Sequence, residues 1–135
     1  MTIIERLRQY KELDPHKIAL IVDDKKYTYG DLYDAILSID INDTSRIVNV
    51  AQTKESPKHI VALIQSQSFV EQLVQWLGGL YTGYIPMVCH NEMDTEYVEE
   101  LARIIAYKGV APLADFGVLT SGTTGRPKPL WRSES

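Results

Sequence analysis

Apolar positions recur along this chain with two periods, and the periods alternate in a definite order. In the opening stretch MTIIERLRQYKEL, Ile3, Ile4, Leu7 and Tyr10 fall at helical spacing, which predicts a short amphipathic helix ended by Asp14-Pro15. KIALIVDDKKYTY follows as two runs of β-forming residues broken by the polar stretch Asp23 to Lys25, the pattern of a hairpin. Thr28 then precedes Asp31 at capping-box spacing, with Leu32, Ala35, Ile36 and Ile39 on one helical face beyond it.

After the polar loop NDTS, RIVNVA and HIVALI read as short buried strands separated by QTKESPK. The clearest helix begins at Ser68, paired with Glu71 as a capping box. Phe69, Val70, Leu73, Val74, Leu77 and Leu80 supply its broad apolar face, and Gly83 suits a left-handed C-terminal cap. YIPMV follows as a buried strand. DTEYVEELARIIAYKG has Asp94 as N-cap, acids in the first turn, Lys108 in the last and Gly109 just beyond, all matching the helix dipole. ADFGVLT closes the series as a strand. Strands alternating with helices predict an α/β fold with a largely parallel sheet flanked by helices, built as a single unit over residues 1–135.

Composition narrows what such a unit does. A hydrophobic share of 44% and a charged share of 24% are those of a folded globular chain. With 14 basic against 18 acidic residues and no dense Lys/Arg run, nucleic acid is not an expected partner. The apolar stretches are interrupted well before the roughly 20 residues of a membrane span. Cys89, the one cysteine, cannot form an internal disulfide, and no signal pattern opens the chain, so a reducing cytoplasm is expected. His16, His59 and the Cys89-His90 pair lack metal-ligand spacing, and neighbours in a strand face opposite ways, so neither a metal site nor a Cys–His nucleophile is expected. Trp76 reads as core or domain-contact surface; Trp131 and Arg132 fit either nucleotide stacking or a free tail.

One stretch carries chemistry. LTSGTTGRPK, Leu119 to Lys128, follows the last strand and crowds glycines, hydroxyls and a lysine together. Such a loop leaves backbone N–H groups unpaired, and its glycines let them approach an anion that a β-carbon would obstruct. Ser121, Thr123 and Thr124 add hydroxyl donors and Lys128 a compact positive charge. Composition alone fits a solvated turn equally well. A Walker A loop is excluded, because Arg126-Pro127 stands where Lys-Ser/Thr must follow Gly125.

The order Ser-Gly-Thr-Thr-Gly-x-Pro-Lys resembles the phosphate-binding signature of the adenylate-forming superfamily: acyl- and aryl-CoA ligases, luciferases and peptide-synthetase adenylation domains. PHKIALIVDDKKYTYGDL, with Thr28, Tyr29 and Leu32, resembles that family's N-terminal hairpin and helix start. LVQWLGGLYTGYIPMV, with Gly83 and Pro86, resembles its second core stretch, in the same order along the chain. The pattern departs at Pro129, where the family usually has glycine, and at Glu134, where many members carry histidine. The interval from Pro86 to Ser121 is also short.

The resemblance implies the N-terminal part of an AMP-binding domain, belonging to an enzyme that joins an organic acid to ATP as an acyl-adenylate with release of pyrophosphate. Transfer to coenzyme A or a carrier-protein phosphopantetheine would follow. It assigns Thr120, Ser121, Gly122, Thr123, Thr124, Gly125 and Lys128 to the polyphosphate loop, with none of them a nucleophile. ATP is the expected cofactor, with Mg2+ in the complete enzyme. The adenine and ribose contacts, the magnesium acid, the acyl pocket and the catalytic lysine of the C-terminal lid domain lie downstream of this loop in the family. The chain therefore corresponds to roughly the first quarter of such an enzyme and is not expected to turn over alone. The alternatives are a non-catalytic phosphate or nucleotide module and an interaction piece that associates with itself through exposed surface.

Overall fold

The computed structural model describes residues 1–120 and 128–134. Helix α1 (Ile3–Leu13) is capped by Thr2, whose hydroxyl accepts the Glu5 N–H, and it ends at Asp14. Strands β1 (Ile18–Val22) and β2 (Lys25–Thr28) pair as an antiparallel hairpin. Its turn residues Asp23 and Asp24 both take positive φ, 51° and 65°, a conformation that aspartate tolerates better than most side chains. The Thr28–Asp31 capping box closes in both directions and opens α2 (Tyr29–Ser38).

A single helical turn, α3 (Ile41–Thr44), stands where the sequence predicts only a polar loop. Asp40 caps it and Ile41 is buried, so a short polar stretch hides one apolar anchor. The larger sheet then runs β3 (Arg46–Asn49), β4 (Ile60–Ile64), β5 (Ile85–Val88), β6 (Phe116–Thr120) and β7 (Lys128–Arg132), in that spatial order. Helix α4 (Phe69–Thr82) joins β4 to β5, and α5 (Thr95–Lys108) joins β5 to β6. These two connections make the central pairs parallel, as expected. The flanking pairs β3–β4 and β6–β7 are antiparallel, because no helix intervenes to carry the chain back. The sheet is thus mixed, parallel at its centre and antiparallel at both sides.

Side chains alternate across this sheet. Val48, Val61, Leu63, Ile85 and Met87 form one core with Val98, Leu101, Ala102 and Ile105 of α5. On the opposite face α4 lies close on Pro86, near enough that a β-carbon on Gly79 would stand 3.1 Å from the proline Cβ. Outside it, Leu77 and Leu80 of α4 pack with Leu32 and Ile36 of α2 and with Ile4 and Leu7 of α1. Among the described residues, no helix is long and apolar enough to cross a membrane.

Gly83 ends α4 in the left-handed conformation, φ 86°, with its N–H bonded back to the last turn. Nothing lies within 4 Å of the position its β-carbon would take, so the demand for glycine is purely conformational. Gly83→Ala is therefore expected to cost roughly 1 kcal/mol in urea unfolding without disturbing any neighbour. A Gly83→Asn variant should recover part of the loss, since asparagine tolerates this region.

Candidate functional site

Parallel strands β5 and β6 end side by side, and the chain leaves β6 at Thr120 directly into the Gly/Ser/Thr segment. It returns as β7 at Lys128. Thr120 and Lys128 are register partners, and the threonine hydroxyl bonds both the carbonyl and the N–H of Lys128, at 3.2 and 3.3 Å. Two of the sequence-predicted site residues thus close the mouth of the hairpin across from each other. Ser121, Gly122, Thr123, Thr124 and Gly125 lie outside the described residues. Beside the mouth is a hollow of about 610 Å³, lined by Trp76, Val88, His90, Met93 and the strand residues Gly117 to Thr120. The space outside the carboxyl ends of parallel strands is where α/β sheets bind ligands.

The residues around this mouth have structural partners of their own. Trp76 meets Phe116 edge to face, centroids 5.4 Å apart. Trp131 lies across Gly117 on the neighbouring strand, so close that a β-carbon there would come within 2.7 Å of the indole. Trp131 is therefore a packing residue of an ordered strand, not a free tail. Cys89 is fully buried and His90 exposed, so the two do not act together. Burial pushes the Cys89 thiol up to about 11.

The far end of the β6–β7 hairpin is held by charge. Asp115, just before β6, accepts from Lys58 Nζ at 2.7 Å and from the Glu134 N–H at 2.8 Å. Its own N–H donates to the Arg132 carbonyl at 2.7 Å. Glu134 in turn accepts the Ile3 N–H at 2.9 Å, placing a carboxylate at the N-terminus of α1. Burial alone would raise the Asp115 carboxyl, but the bonds from Lys58 and Glu134 and the lysine charge outweigh it and hold the group below its ordinary range. Lys58, Asp115 and Glu134 are far apart in sequence and show no shared pattern, so sequence reasoning had no signal for them.

This architecture is the fold of the N-terminal subdomain of adenylate-forming enzymes. No protein-family model matches the chain, and no curated protein matches it significantly. Among solved structures, the N-terminal subdomain of Klebsiella oxytoca NpsA superposes at TM-score 0.64 and 16% identity, over 98% of this chain and 42% of that one. The o-succinylbenzoate coenzyme A synthetase MenE from Bacillus subtilis, solved in complex with AMP, gives 0.61 and 17% over 98% and 42%. A double mutant of the same synthetase, bound with its product analogue OSB-NCoA, gives 0.62 and 18%, with 33% of its chain covered. The chain thus spans about two fifths or less of the length of these structures.

Two outcomes follow from the charges. Native Cys89 should resist a thiol reagent at pH 8 and react fully once unfolded in urea. Because its folded pKa lies above the unfolded value, the stability it adds is complete below pH ~8.5 and is lost as pH rises toward the folded value. Asp115 has the opposite sign. Its contribution is present above pH ~4 and disappears as pH falls through the lowered value, and Asp115→Asn should cost about 1 kcal/mol at pH 7 while flattening that acid limb.

Proposed function

We propose that this chain supplies the polyphosphate-binding part of an AMP-forming acid–thiol ligase. The observation that carries the reading is the pairing of Thr120 with Lys128 across the mouth of a hairpin, at the carboxyl edge of parallel strands. In this reading Thr120, Ser121, Gly122, Thr123, Thr124, Gly125 and Lys128 surround the β- and γ-phosphates of ATP. An oxygen of the organic acid attacks the α-phosphorus, the bond to the bridging oxygen breaks, and pyrophosphate leaves with the charge that the loop donors stabilise. A thiol, of coenzyme A or a pantetheine, then takes the acyl group and releases AMP.

The neighbours support the ligand class: one MenE structure holds AMP, and NpsA was solved with 3-hydroxybenzoyl-AMSN. Mg2+ would accompany the nucleotide phosphates in the complete enzyme. In this reading acid selection and turnover rest on residues other than these, and we assign no catalytic residue to this chain. The lone buried cysteine fits a cytoplasmic setting. Val88, Val118 and Leu130 line up across β5, β6 and β7 and are 36%, 41% and 38% exposed, an apolar face through which the chain would associate with itself.

Calorimetric titration of the chain with pyrophosphate and with MgATP tests this. Binding is expected for both, weakened about tenfold in Lys128→Ala by loss of a charge-assisted contact, and falling as salt rises. Binding equal in wild type and Lys128→Ala would remove the loop from the proposal. Acid-dependent ATP–pyrophosphate exchange should be absent from this chain.

A further inference from the structure

Strand β3 forms the edge of the sheet opposite β7, and its register fixes which backbone groups face outward. The Val50 N–H donates to the His59 carbonyl at 2.8 Å, and continuation of the β3–β4 register sets these two residues opposite each other. Val50, Val48 and Arg46 therefore exchange their backbone bonds with β4, while Ile47 and Asn49 turn their N–H and C=O groups away from it. Among the described residues, the Ile47 N–H and both backbone groups of Asn49 meet no partner. The Ile47 carbonyl does: it accepts from Arg46 Nη1. The same guanidinium is forked on Glu99 of α5, with Nε and Nη2 at 2.7 and 3.0 Å from its two carboxylate oxygens.

The two edges of the sheet are thus protected differently. β7 carries Pro129 between Lys128 and Arg132, whereas β3 has neither proline, lysine nor bulge, and its one charged side chain folds back onto its own outward carbonyl. The outward groups are also self-complementary. A second β3 laid antiparallel about Val48 sets Ile47 of each copy opposite Asn49 of the other, which satisfies every outward group on both. In that register Arg46 faces Val50 and not its own counterpart, so the two cations do not oppose each other. The obstacle is the guanidinium itself, which lies where the Asn49 N–H of the second copy would donate. We infer that the outer edge of β3 is a docking edge for β3 of a second copy of this chain, and that Arg46, anchored on Glu99, is the guard that closes it. The inference is independent of the phosphate loop and of the apolar face at Val88, Val118 and Leu130.

Sedimentation velocity over a concentration series, with wild type and Arg46→Ala side by side, tests this. Removing the guard should tighten dimerisation roughly tenfold or more, because pairing no longer displaces a hydrogen bond made by a charged group. Circular dichroism should be retained, since an exposed ion pair adds little to stability. The Ile47 and Asn49 amides should exchange quickly in the wild-type monomer and become protected in the Arg46→Ala dimer, while the Val48 amide, bonded to β4, is slow in both. Ile47→Pro or Asn49→Pro added to Arg46→Ala deletes an outward N–H, spares the bonds to β4 and should return association to the wild-type level. Equal association of folded Arg46→Ala and wild type would overturn the inference, as would protected Ile47 and Asn49 amides in the wild-type monomer. Arg46→Ala dimers that leave these two amides unprotected, or that persist in both folded proline variants, would assign the contact to the apolar face and overturn it too.

Discussion

The pairing of β4 with β5 is the constraint on which the rest of this structure depends. Val61, Ala62, Ile64, Ile85 and Met87 are completely buried, and Leu63 nearly so, which leaves both faces of the pair in need of cover. A sheet that is apolar on both faces is stable only as the middle layer, so α5 must lie on one side and α4 on the other. Once α5 has crossed, β6 can add only beside β5, since β4 already has β3 on its outer side. That position sets the carboxyl end of β6 next to the carboxyl end of β5. The loop segment therefore leaves the sheet where ligand space is available because of strand order, with no contribution from its own sequence.

Both ends of the β6–β7 hairpin are then fixed by different physics. At the mouth, Thr120 bonds the backbone of Lys128 and so maintains register with a neutral, solvent-exposed contact. At the base, Asp115 gathers Lys58, the Arg132 carbonyl and the Glu134 N–H, while the Glu134 carboxylate reaches the first turn of α1. Between the two, Trp131 covers Gly117 and replaces the side chain that a glycine in a strand lacks. An edge strand containing a proline and flanked by positive charge is a poor template for further pairing, which suits β7 to its place at the side of the sheet.

Much of this was legible in the residues because local signals and tertiary demands agree. Thr28, Ser68 and Asp94 cap the helices they precede, and Gly83 and Gly109 end theirs with positive φ. At Ser68 the agreement is partial: its hydroxyl accepts the Glu71 N–H, but the Glu71 carboxylate takes the Ser66 hydroxyl, a nearer donor. Three features were not legible, for one shared reason. The turn at Ile41, the strand Lys128–Arg132 and the Asp115 clasp depend on contacts outside their own few residues, and five residues of KPLWR carry no pattern until β6 lies beside them. Within the site, Thr120 and Lys128 were legible as members of one motif, but their mutual bonds were not.

Fold and loop carry different kinds of information. Superposition over 98% of the chain at 16% identity shows that the same fold is reached with few residues in common. Phosphate recognition is less permissive, because it needs particular donors in a particular order. Lys128 joins the two. Pro129 follows it, which confines the lysine backbone to the extended region, and that is the conformation β7 requires. The proline costs no ladder bond that an edge strand cannot spare. With its backbone held by Pro129 and by Thr120, Lys128 can change what it touches only through its four-carbon side chain.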